Sequence, residues 1–285
     1  MIRLLDFGAV TGLRSQTIWH AVAEAAMPDD PPALCLMTPR DPYISLGFHR
    51  SVDEVDLAAC AERGFAVYRR RAGGGPVLCD DGQLFFTIVA PAASLPASLD
   101  AAWRRAVGPA VDAFRSLGIP ASLTADNDIV AGGRKISGLG AARIQDAQVF
   151  VGNVIFRFDF AAFAACLALP EPARAQAARL MREHVATVSE AAGREITPDE
   201  AAAALVDAYA TAFGGVWPDR LLAREYAAMH RLDKRFGDPA WVFAERPVRE
   251  PSVKIRGGVV LERFGDAWRT VVRDAAGSAA QSRRA

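Results

Sequence analysis

The chain has 285 residues, of which 51% are hydrophobic, and its 33 basic residues balance its 33 acidic residues. A chain of this length buries a core without disulfides, and the zero net charge argues against a dedicated nucleic-acid binder or an electrostatic membrane clamp. The four cysteines show neither paired spacing nor a nearby histidine cluster, and no apolar run approaches the ~20 residues that span a bilayer. We therefore expect a soluble, cytoplasmic protein with no membrane or nucleic-acid partner.

Helical and strand-like patterns alternate along the first half of the chain. The spacing of apolar residues predicts a first helix over residues 15–26, with Ser15 as its N-cap. Further helices are predicted over 56–63 and 99–117, strands over 33–38, 43–46, 66–70 and 84–89, strand–turn–strand character over 128–158, and an alanine-rich helical region from there to 231.

This order of elements indicates an α+β fold with a mixed or antiparallel sheet. A doubly wound dinucleotide-binding sheet is disfavoured, because the glycine-rich turn at residues 73–75 lies between two strands and does not open a helix. The sequence also lacks a GxxxxGK[ST] phosphate-binding loop. Any nucleotide chemistry must therefore use another scaffold.

The first informative segment is an arginine-rich strand end followed by three glycines, RRRAGGGPVLCD over residues 69–80. Glycine reaches backbone conformations closed to other residues, so the amide groups of Gly73, Gly74 and Gly75 can turn toward an anion. Arg69 and Arg70 just before them carry forked donors that match phosphate or carboxylate oxygens. The segment predicts either an anion-binding loop or a tight turn on a solvated basic strand.

The second informative segment, NDIVAGGRKISGLG over residues 127–140, predicts two strands around a Gly-Gly turn. The chain has only three lysines, and one of them, Lys135, stands near the start of the second strand. An ordinary hairpin-edge cation is one interpretation of this lysine. Its rarity, its position between glycines and the nearby carboxylate of Asp128 favour a functional one.

Together the two segments resemble the conserved elements of lipoate–protein ligases. Residues 69–80 are similar to the RRxxGGGxVxxD loop of that family, and residues 127–138 are similar to its NDxxxxGxKISG element, in the same order. The resemblance extends over residues 1–235, which would form the catalytic domain. A biotin ligase would instead carry an arginine-rich GRGRxGR loop where this chain has three glycines.

The resemblance implies attachment of lipoate or octanoate to a lysine of a lipoyl-carrier protein through an acyl-adenylate, with ATP and Mg²⁺ as cofactors. Such activation is needed because a carboxylate and an ammonium group do not condense in water. Donors that stabilise charge on the α-phosphate lower the barrier. The acceptor would be the E2 component of a 2-oxoacid dehydrogenase, an H-like protein of glycine cleavage or another lipoyl-domain protein.

The family pattern also assigns roles to individual residues. Lys135 would contact the phosphate and the acyl carbonyl, and Asp128, with Asn127, would hold Mg²⁺ or the ribose. The acyl chain would run along strand residues such as Leu46, Val77 and Val151. The residues expected to bind nucleotide or acyl group are Arg69, Arg70, Gly73, Gly74, Gly75, Val77, Asn127, Asp128, Ser137 and Gly138.

Two departures from the family pattern keep alternatives open. Many of these ligases have histidines where this chain has Cys79 and Val151. Cysteine is an acyl-accepting nucleophile in some octanoyl transferases, but no histidine lies near Cys79 in the sequence to activate it. The alternatives are an ATP-independent octanoyl or lipoyl transferase and a non-catalytic lipoyl- or biotinyl-binding subunit. Retention of Lys135 and the glycines argues against the latter.

The carboxyl end is shorter than the accessory domain that such ligases usually carry. Residues 236–285 would form a truncated accessory segment, with two strands within 252–273 and a frayed tail over the last ten residues. A hairpin alone is marginally stable, so it must dock on the catalytic domain or pair with another chain. We therefore expect the chain to need a separate accessory subunit for adenylation.

Overall fold

The computed structural model describes residues 1–247, 252–265, 267–273 and 279–280. The strands are β1 (Ile2–Val10), β2 (Ala33–Pro39), β3 (Tyr43–Leu46), β4 (Ala66–Arg69), β5 (Val77–Cys79), β6 (Gln83–Pro91), β7 (Ser122–Leu123), β8 (Asp128–Ala131), β9 (Arg134–Gly138), β10 (Gly140–Ile144), β11 (Ala147–Ile155), β12 (Val216–Pro218), β13 (Ser252–Arg256), β14 (Val259–Phe264), β15 (Ala267–Arg273) and β16 (Ala279–Ala280). The helices are α1 (Gly12–Glu24), α2 (Leu57–Glu62), α3 (Leu99–Ser116), α4 (Phe160–Ala165), α5 (Glu171–His184), α6 (Val188–Ala192), α7 (Pro198–Phe213), α8 (Ala223–Phe236) and α9 (Pro239–Val242).

A six-stranded mixed sheet forms the centre of the molecule, in the order β10-β11-β6-β2-β1-β12. The strand β1 pairs in parallel with β2 and β12, and the remaining neighbours are antiparallel. Because side chains alternate across a strand, β2 sends Leu34 and Leu36 toward α3 and α7 and sends Cys35 and Met37 toward α1 and α8. Helices thus cover both faces of the sheet, and the predicted α+β class is confirmed.

Two small sheets at one end of the central sheet carry the two informative segments. The strands β4, β3 and β5 form one of them, and the loop of residues 70–76, the glycine loop, joins β4 to β5. The strands β7, β8 and β9 form the other, in which β8 and β9 make a hairpin over residues 128–138, the lysine hairpin. Both glycines of its turn, Gly132 and Gly133, have positive φ, the conformation that tight hairpin turns require.

The strands β13–β16 form an antiparallel C-terminal sheet that docks on the rest of the molecule. Its residues Ile255, Val259 and Leu261 are buried against Phe163 and Met181 of α4 and α5. Three strands lie within 252–273, where two were predicted. Of the two alternatives for this segment, docking on the catalytic domain or pairing with another chain, the structure has the first. Of the last ten residues, predicted to fray, only Ala279–Ala280 fall within the described residues.

Two local predictions differ from the structure. The first helix begins at Gly12, not near Ser15, because Thr11 is the residue whose hydroxyl accepts the Arg14 amide. The Ser15 hydroxyl instead donates to the Gly12 carbonyl, inside the first turn. The strand β1 was not predicted, because adjacent apolar pairs, Leu4–Leu5 and Ala9–Val10, interrupt the alternation of apolar and polar residues that marks a half-buried strand. Within the described residues, no helix combines the length and apolar character that crossing a membrane requires.

Candidate active site

The glycine loop is held in shape by Arg70. Its guanidinium donates to the Ser45 carbonyl at 2.6 Å, to the Gly73 carbonyl at 2.7 Å and to the Gly75 carbonyl at 2.8 Å. Burial lowers the pKa of Arg70 to about 10, so it still carries its charge at neutral pH. Gly74 has a φ of +94°, and a Cβ there would lie 2.9 Å from Arg70 Nη2. The loop is therefore a preformed structure.

The backbone of this loop leaves its own donors unused. In the described part of the chain, the amide groups of Gly73, Gly74 and Gly75 have no acceptor, while two of the three carbonyls are bound by Arg70. Free, neighbouring amide groups in such a turn form an anion-binding concavity. The anion-binding interpretation of the loop is favoured over the simple turn.

Arg69 lies behind the loop, not beside the cavity where the sequence predicts it. Its side chain is fully buried and donates to the carbonyls of Arg50 at 2.6 Å, Val242 at 3.0 Å and Gly47 at 3.2 Å. These carbonyls come from segments far apart in the sequence. Arg69 therefore joins β4 to the chain leaving α9, and its donors are not available to a ligand.

His20 of α1 fixes the start of the glycine loop, a role that the sequence did not suggest. Its Nε2 accepts the amide of Arg71 at 3.0 Å, and its Nδ1 lies 2.5 Å from the Gln16 carbonyl. Burial lowers the pKa of His20, which keeps the ring neutral. Since Nε2 accepts, Nδ1 must carry the proton and donate to Gln16.

On the lysine hairpin, the ammonium of Lys135 lies 3.0 Å from Oδ1 of Asp128. The carboxylate is almost fully buried, with 2% of its side chain exposed, whereas 19% of the Lys135 side chain is exposed. Gly138 leaves room for this lysine, because a Cβ there would lie 3.1 Å from the ammonium nitrogen. The hairpin thus presents one cation whose remaining donors face the cavity.

Asn153 of β11 is a second residue that the sequence did not suggest. Its Oδ1 accepts the Gly138 amide at 2.8 Å, and its Nδ2 donates to Gln83 at 2.8 Å. Ser137 is fully buried beside it, and its hydroxyl accepts the Asn153 amide at 3.3 Å. Asn153 therefore ties the lysine hairpin to the central sheet. One feature of the sequence could have indicated this role: Asn153 is a polar residue within a mostly apolar strand.

The glycine loop and the lysine hairpin border one cavity of about 500 Å³. Its polar part includes Lys135, Asp128, Arg70 and the loop glycines, together with the Arg50–Glu54 ion pair, Asp53, Asn153 and Lys254. Its apolar part comes from α1, β6 and β11 on one side and from α4, the turn after it and α5 on the other, including Trp19, Phe85, Val151, Phe163, Leu167 and Met181.

Most of the predicted site residues meet at this cavity. Those that line it are Arg70, Gly73, Gly74, Gly75, Val77, Asp128, Lys135, Gly138 and Val151. Four others do not line it: Arg69, Ser137, Asn127 and Leu46. Asn127 occupies a left-handed turn with a φ of 60°, and Leu46 is fully buried in the apolar core beneath β3. Their positions follow from turn geometry and packing, which the family pattern does not encode.

The chain's own residues do not fit the expected Mg²⁺ site at Asp128. The described residues contain no group of three or more carboxylates, histidines or cysteines that could hold a metal ion. The two oxygens of Asp128 are already used, by Lys135 at 3.0 Å and by the Gly257 amide at 2.6 Å. Any Mg²⁺ would have to arrive on the phosphates of a nucleotide.

Cys79 faces the cavity as a buried thiol. Burial raises its pKa to about 12, so the nucleophilic thiolate is nearly absent at neutral pH. Cys35, Cys60 and Cys166 are free and buried as well, and they do not line the cavity. The cation-rich end of the cavity therefore lacks an activated sulfur nucleophile among the described residues.

The glycine loop with its free amides, the lysine on a buried carboxylate and an apolar region thus meet at one cavity. Residues 16–210 match the lipoyl protein ligase A/B catalytic domain. The chain belongs to this family and is an enzyme of lipoate attachment.

The proteins similar to this chain are named for two different activities, octanoyl transfer and lipoate ligation. The chain is 28% identical to the octanoyltransferase LipM of Symbiobacterium thermophilum, over 84% of this chain and 97% of the relative. It is 27% identical to the lipoate-protein ligase LplJ of Bacillus subtilis, over 72% of this chain and 63% of the relative. Its fold is similar to a solved bi-partite lipoate protein ligase from Thermoplasma acidophilum, with a TM-score of 0.76 at 24% identity, over 87% and 98% of the two chains.

Proposed function

We propose that this enzyme joins lipoate or octanoate to a lysine of a lipoyl-carrier protein through an acyl-adenylate made from ATP. The observation that carries the proposal is the pairing, at one cavity, of Lys135 with a glycine loop whose amides are free. A phosphate and a carboxylate are both anions. At this end of the cavity, the ammonium of Lys135 and the free amides of the glycine loop can donate to them. Among the residues that the structure describes, the cavity lining otherwise holds no activated nucleophile.

In the first step, a carboxylate oxygen of the acid attacks the α-phosphorus of ATP, and pyrophosphate leaves. Negative charge grows on the α-phosphate oxygens, where Lys135 and the loop amides donate. Arg70 does not reach the ligand in this scheme. Its bond to the Gly73 carbonyl fixes the peptide plane whose opposite side carries the Gly74 amide, so that this amide points away from Arg70 and is free for the phosphate.

In the second step, the lysine amine of the carrier protein attacks the acyl carbonyl carbon, and AMP leaves as the carbon–oxygen bond breaks. The amine gives up its proton to solvent water as the amide forms. Lys135 polarises the acyl carbonyl and stabilises the charge left on AMP. The acyl chain lies along Val77 and Val151, and the apolar region near Phe163 and Met181 remains for the adenine.

A second candidate is ATP-independent transfer of an octanoyl or lipoyl group between carrier proteins. It is favoured by the LipM relative, which the chain matches over nearly its whole length. Cys79 would be the acyl-accepting nucleophile, since it is the cysteine that lines the cavity among the described residues. Against it stands the raised pKa of that thiol, and no histidine contacts it to remove the proton.

A third candidate, a non-catalytic lipoyl-binding subunit, has less support. A binding module has no need of a lysine held on a buried carboxylate beside free amides.

We keep the predicted division of the chain into a catalytic part at 1–235 and a short accessory segment at 236–285. The predicted need for a separate accessory subunit is not part of this proposal, because it supposed that the carboxyl-terminal strands await another chain, whereas Ile255 and Leu261 are buried against α4 and α5.

Mass spectrometry of an acceptor lipoyl domain tests the proposal. The purified enzyme is incubated with the domain, ATP and either lipoate or octanoate, and separately with an octanoyl-carrier protein without ATP. The proposal predicts acylated domain in the first mixture alone. Acylation only in the second mixture, lost in a Cys79→Ser variant, would establish the transferase instead.

A further inference from the structure

The C-terminal sheet brings a second lysine to the cavity. Lys254 of β13 lines it, and its ammonium donates to the Asp126 carbonyl at 2.9 Å. The same ammonium lies 3.9 Å from Oδ2 of Asp128, whose Oδ1 is held by Lys135. Two of the chain's three lysines therefore share one buried carboxylate. Lys254 lies outside residues 16–210, which the family match covers.

The approach of β13 to this carboxylate is tight. The Gly257 amide, in the turn after β13, donates to Asp128 Oδ2 at 2.6 Å. A Cβ at Gly257 would lie 2.9 Å from the Cβ of Asp126, so only glycine lets the turn come this close. Arg50 adds a bond to the Ser252 carbonyl at 3.3 Å. The position of Lys254 is thus fixed by several contacts around it.

The local charges call for an anion. Asp128 supplies one negative charge to two ammonium groups. Over the whole lining, Arg50, Arg70, Lys135 and Lys254 face the carboxylates of Asp53, Glu54 and Asp128, which leaves one positive charge in excess. The two lysines also differ in depth, since 19% of the Lys135 side chain is exposed against 48% of Lys254. Lys135 thus lies inside the cavity and Lys254 lies at its edge.

We propose that Lys254 binds the β- and γ-phosphates of ATP during adenylation, and this rests on the adenylating function proposed above. In that step a bond forms between the acid's carboxylate oxygen and the α-phosphorus. The bond from the α-phosphorus to the bridging oxygen breaks, and pyrophosphate takes the electron pair. A cation at the outer end of the cavity stabilises this leaving charge, while Lys135 serves the α-phosphate. The transfer step involves no pyrophosphate and does not use Lys254.

The two half-reactions can be measured separately in the full-length enzyme. Pyrophosphate release from ATP and lipoate reports adenylation, and modification of a lipoyl domain by preformed lipoyl-adenylate reports transfer. The variant is Lys254→Met, and the matched control is Lys234→Met, which removes an exposed lysine in the last turn of α8. The conservative variant Lys254→Arg keeps the charge.

We expect Lys254→Met to lower kcat/KM for ATP by about 10- to 100-fold in pyrophosphate release, as for loss of one phosphate donor. Its transfer from lipoyl-adenylate stays within about twofold of the unaltered enzyme, and Lys254→Arg recovers most of the lost activity. Melting temperatures within about 2 °C of one another confirm that all variants fold.

Equal adenylation by Lys254→Met and Lys234→Met would overturn the inference, and so would an equal loss in both half-reactions, because that would indicate a structural role. These outcomes leave the proposed function intact. Failure of the unaltered enzyme to release pyrophosphate, while it accepts lipoyl-adenylate or an acylated carrier, would instead refute adenylation itself and the role of Lys254 with it.

Discussion

The glycine loop and the lysine hairpin border the same cavity, yet they use their cations in opposite ways. Arg69 and Arg70 direct their guanidinium groups at backbone carbonyls and so build the loop. Lys135 contacts a carboxylate through one side of its ammonium and keeps its other donors for a ligand. Forked, planar guanidinium suits the bridging of fixed carbonyls, whereas a rotatable ammonium suits a group that changes during a reaction. A position beside a family motif therefore does not by itself show that a positively charged residue binds the ligand.

Removal of Lys135 should have the largest effect on activity. The sequence predicts that Lys135→Ala lowers kcat by about 10²–10³ or more with little effect on folding, because a donor to the transition state is lost. The structure adds a stability cost of about 2 kcal/mol, since Asp128 loses a charged partner inside the protein. Steady-state kinetics and thermal unfolding measure the two effects.

A double variant separates activity from stability at this position. Lys135→Met combined with Asp128→Asn removes both charges and keeps an oxygen for the Gly257 amide. We expect it to recover most of the lost stability and none of the activity. Full activity in Lys135→Ala would remove the basis of the mechanism.

Replacement of Arg70 should reverse the pattern seen at Lys135. Arg70→Lys keeps a positive charge but loses the fork that binds the Ser45, Gly73 and Gly75 carbonyls. We expect a loss of about 3 kcal/mol in the free energy of unfolding, measured by urea denaturation, together with weaker ATP binding. Arg104→Lys, at an exposed site on α3, is the control. Unchanged stability with lost catalysis would place Arg70 among the ligand-binding cations instead.

A pair of glycine variants tests whether the loop amides hold the nucleotide. The sequence predicts that Gly74→Val abolishes nucleotide binding at a near-normal melting temperature. The structure indicates a lower melting temperature as well, because Gly74 has a positive φ and a Cβ would meet Arg70. Gly75 has open space at its Cβ position, so Gly75→Ala isolates the effect on the ligand. Unchanged ATP affinity by calorimetry in both variants would make the loop a simple turn.

Replacement of Cys79 should have the smallest effect on activity. Burial raises its pKa to about 12, so the thiol stays protonated below that pH and its thiolate becomes abundant only above it. We expect Cys79→Ser to keep adenylation and transfer within about twofold, and alkylation of Cys79 by iodoacetamide to accelerate only as pH rises toward 12. A loss of acyl transfer by a factor of 10³ would identify Cys79 as the nucleophile.

The sequence predicts what is local and misses what depends on distant contacts. The loop glycines and Lys135 stand in recognisable patterns, and the helix α7, Pro198–Phe213, lies within the alanine-rich region that was predicted to be helical. The burial of Arg69 depends on the Val242 carbonyl, 173 residues away, which no local pattern encodes. Asn153 likewise acts through a partner distant in the sequence, Gln83, 70 residues away.

Lys254 was not predicted as a site residue, for a different reason. The scarcity of lysines that drew attention to Lys135 applies equally to Lys254, but that lysine lies in a segment whose docking could not be foreseen. A weak two-strand pattern at the carboxyl end gives no information on which surface it covers. The packing of Ile255 and Leu261 on α4 and α5, together with the bond from the Gly257 amide to Asp128, brings β13 to the cavity.

The central claim is that this chain forms an acyl-adenylate by means of Lys135 and the glycine loop. The most direct measurement is the exchange of labelled pyrophosphate into ATP by the purified chain, with and without lipoate or octanoate. We expect exchange that depends on the acid, persists in Cys79→Ser and disappears in Lys135→Ala. No exchange with either acid, in an enzyme that transfers octanoyl groups from a carrier protein without ATP, would contradict it.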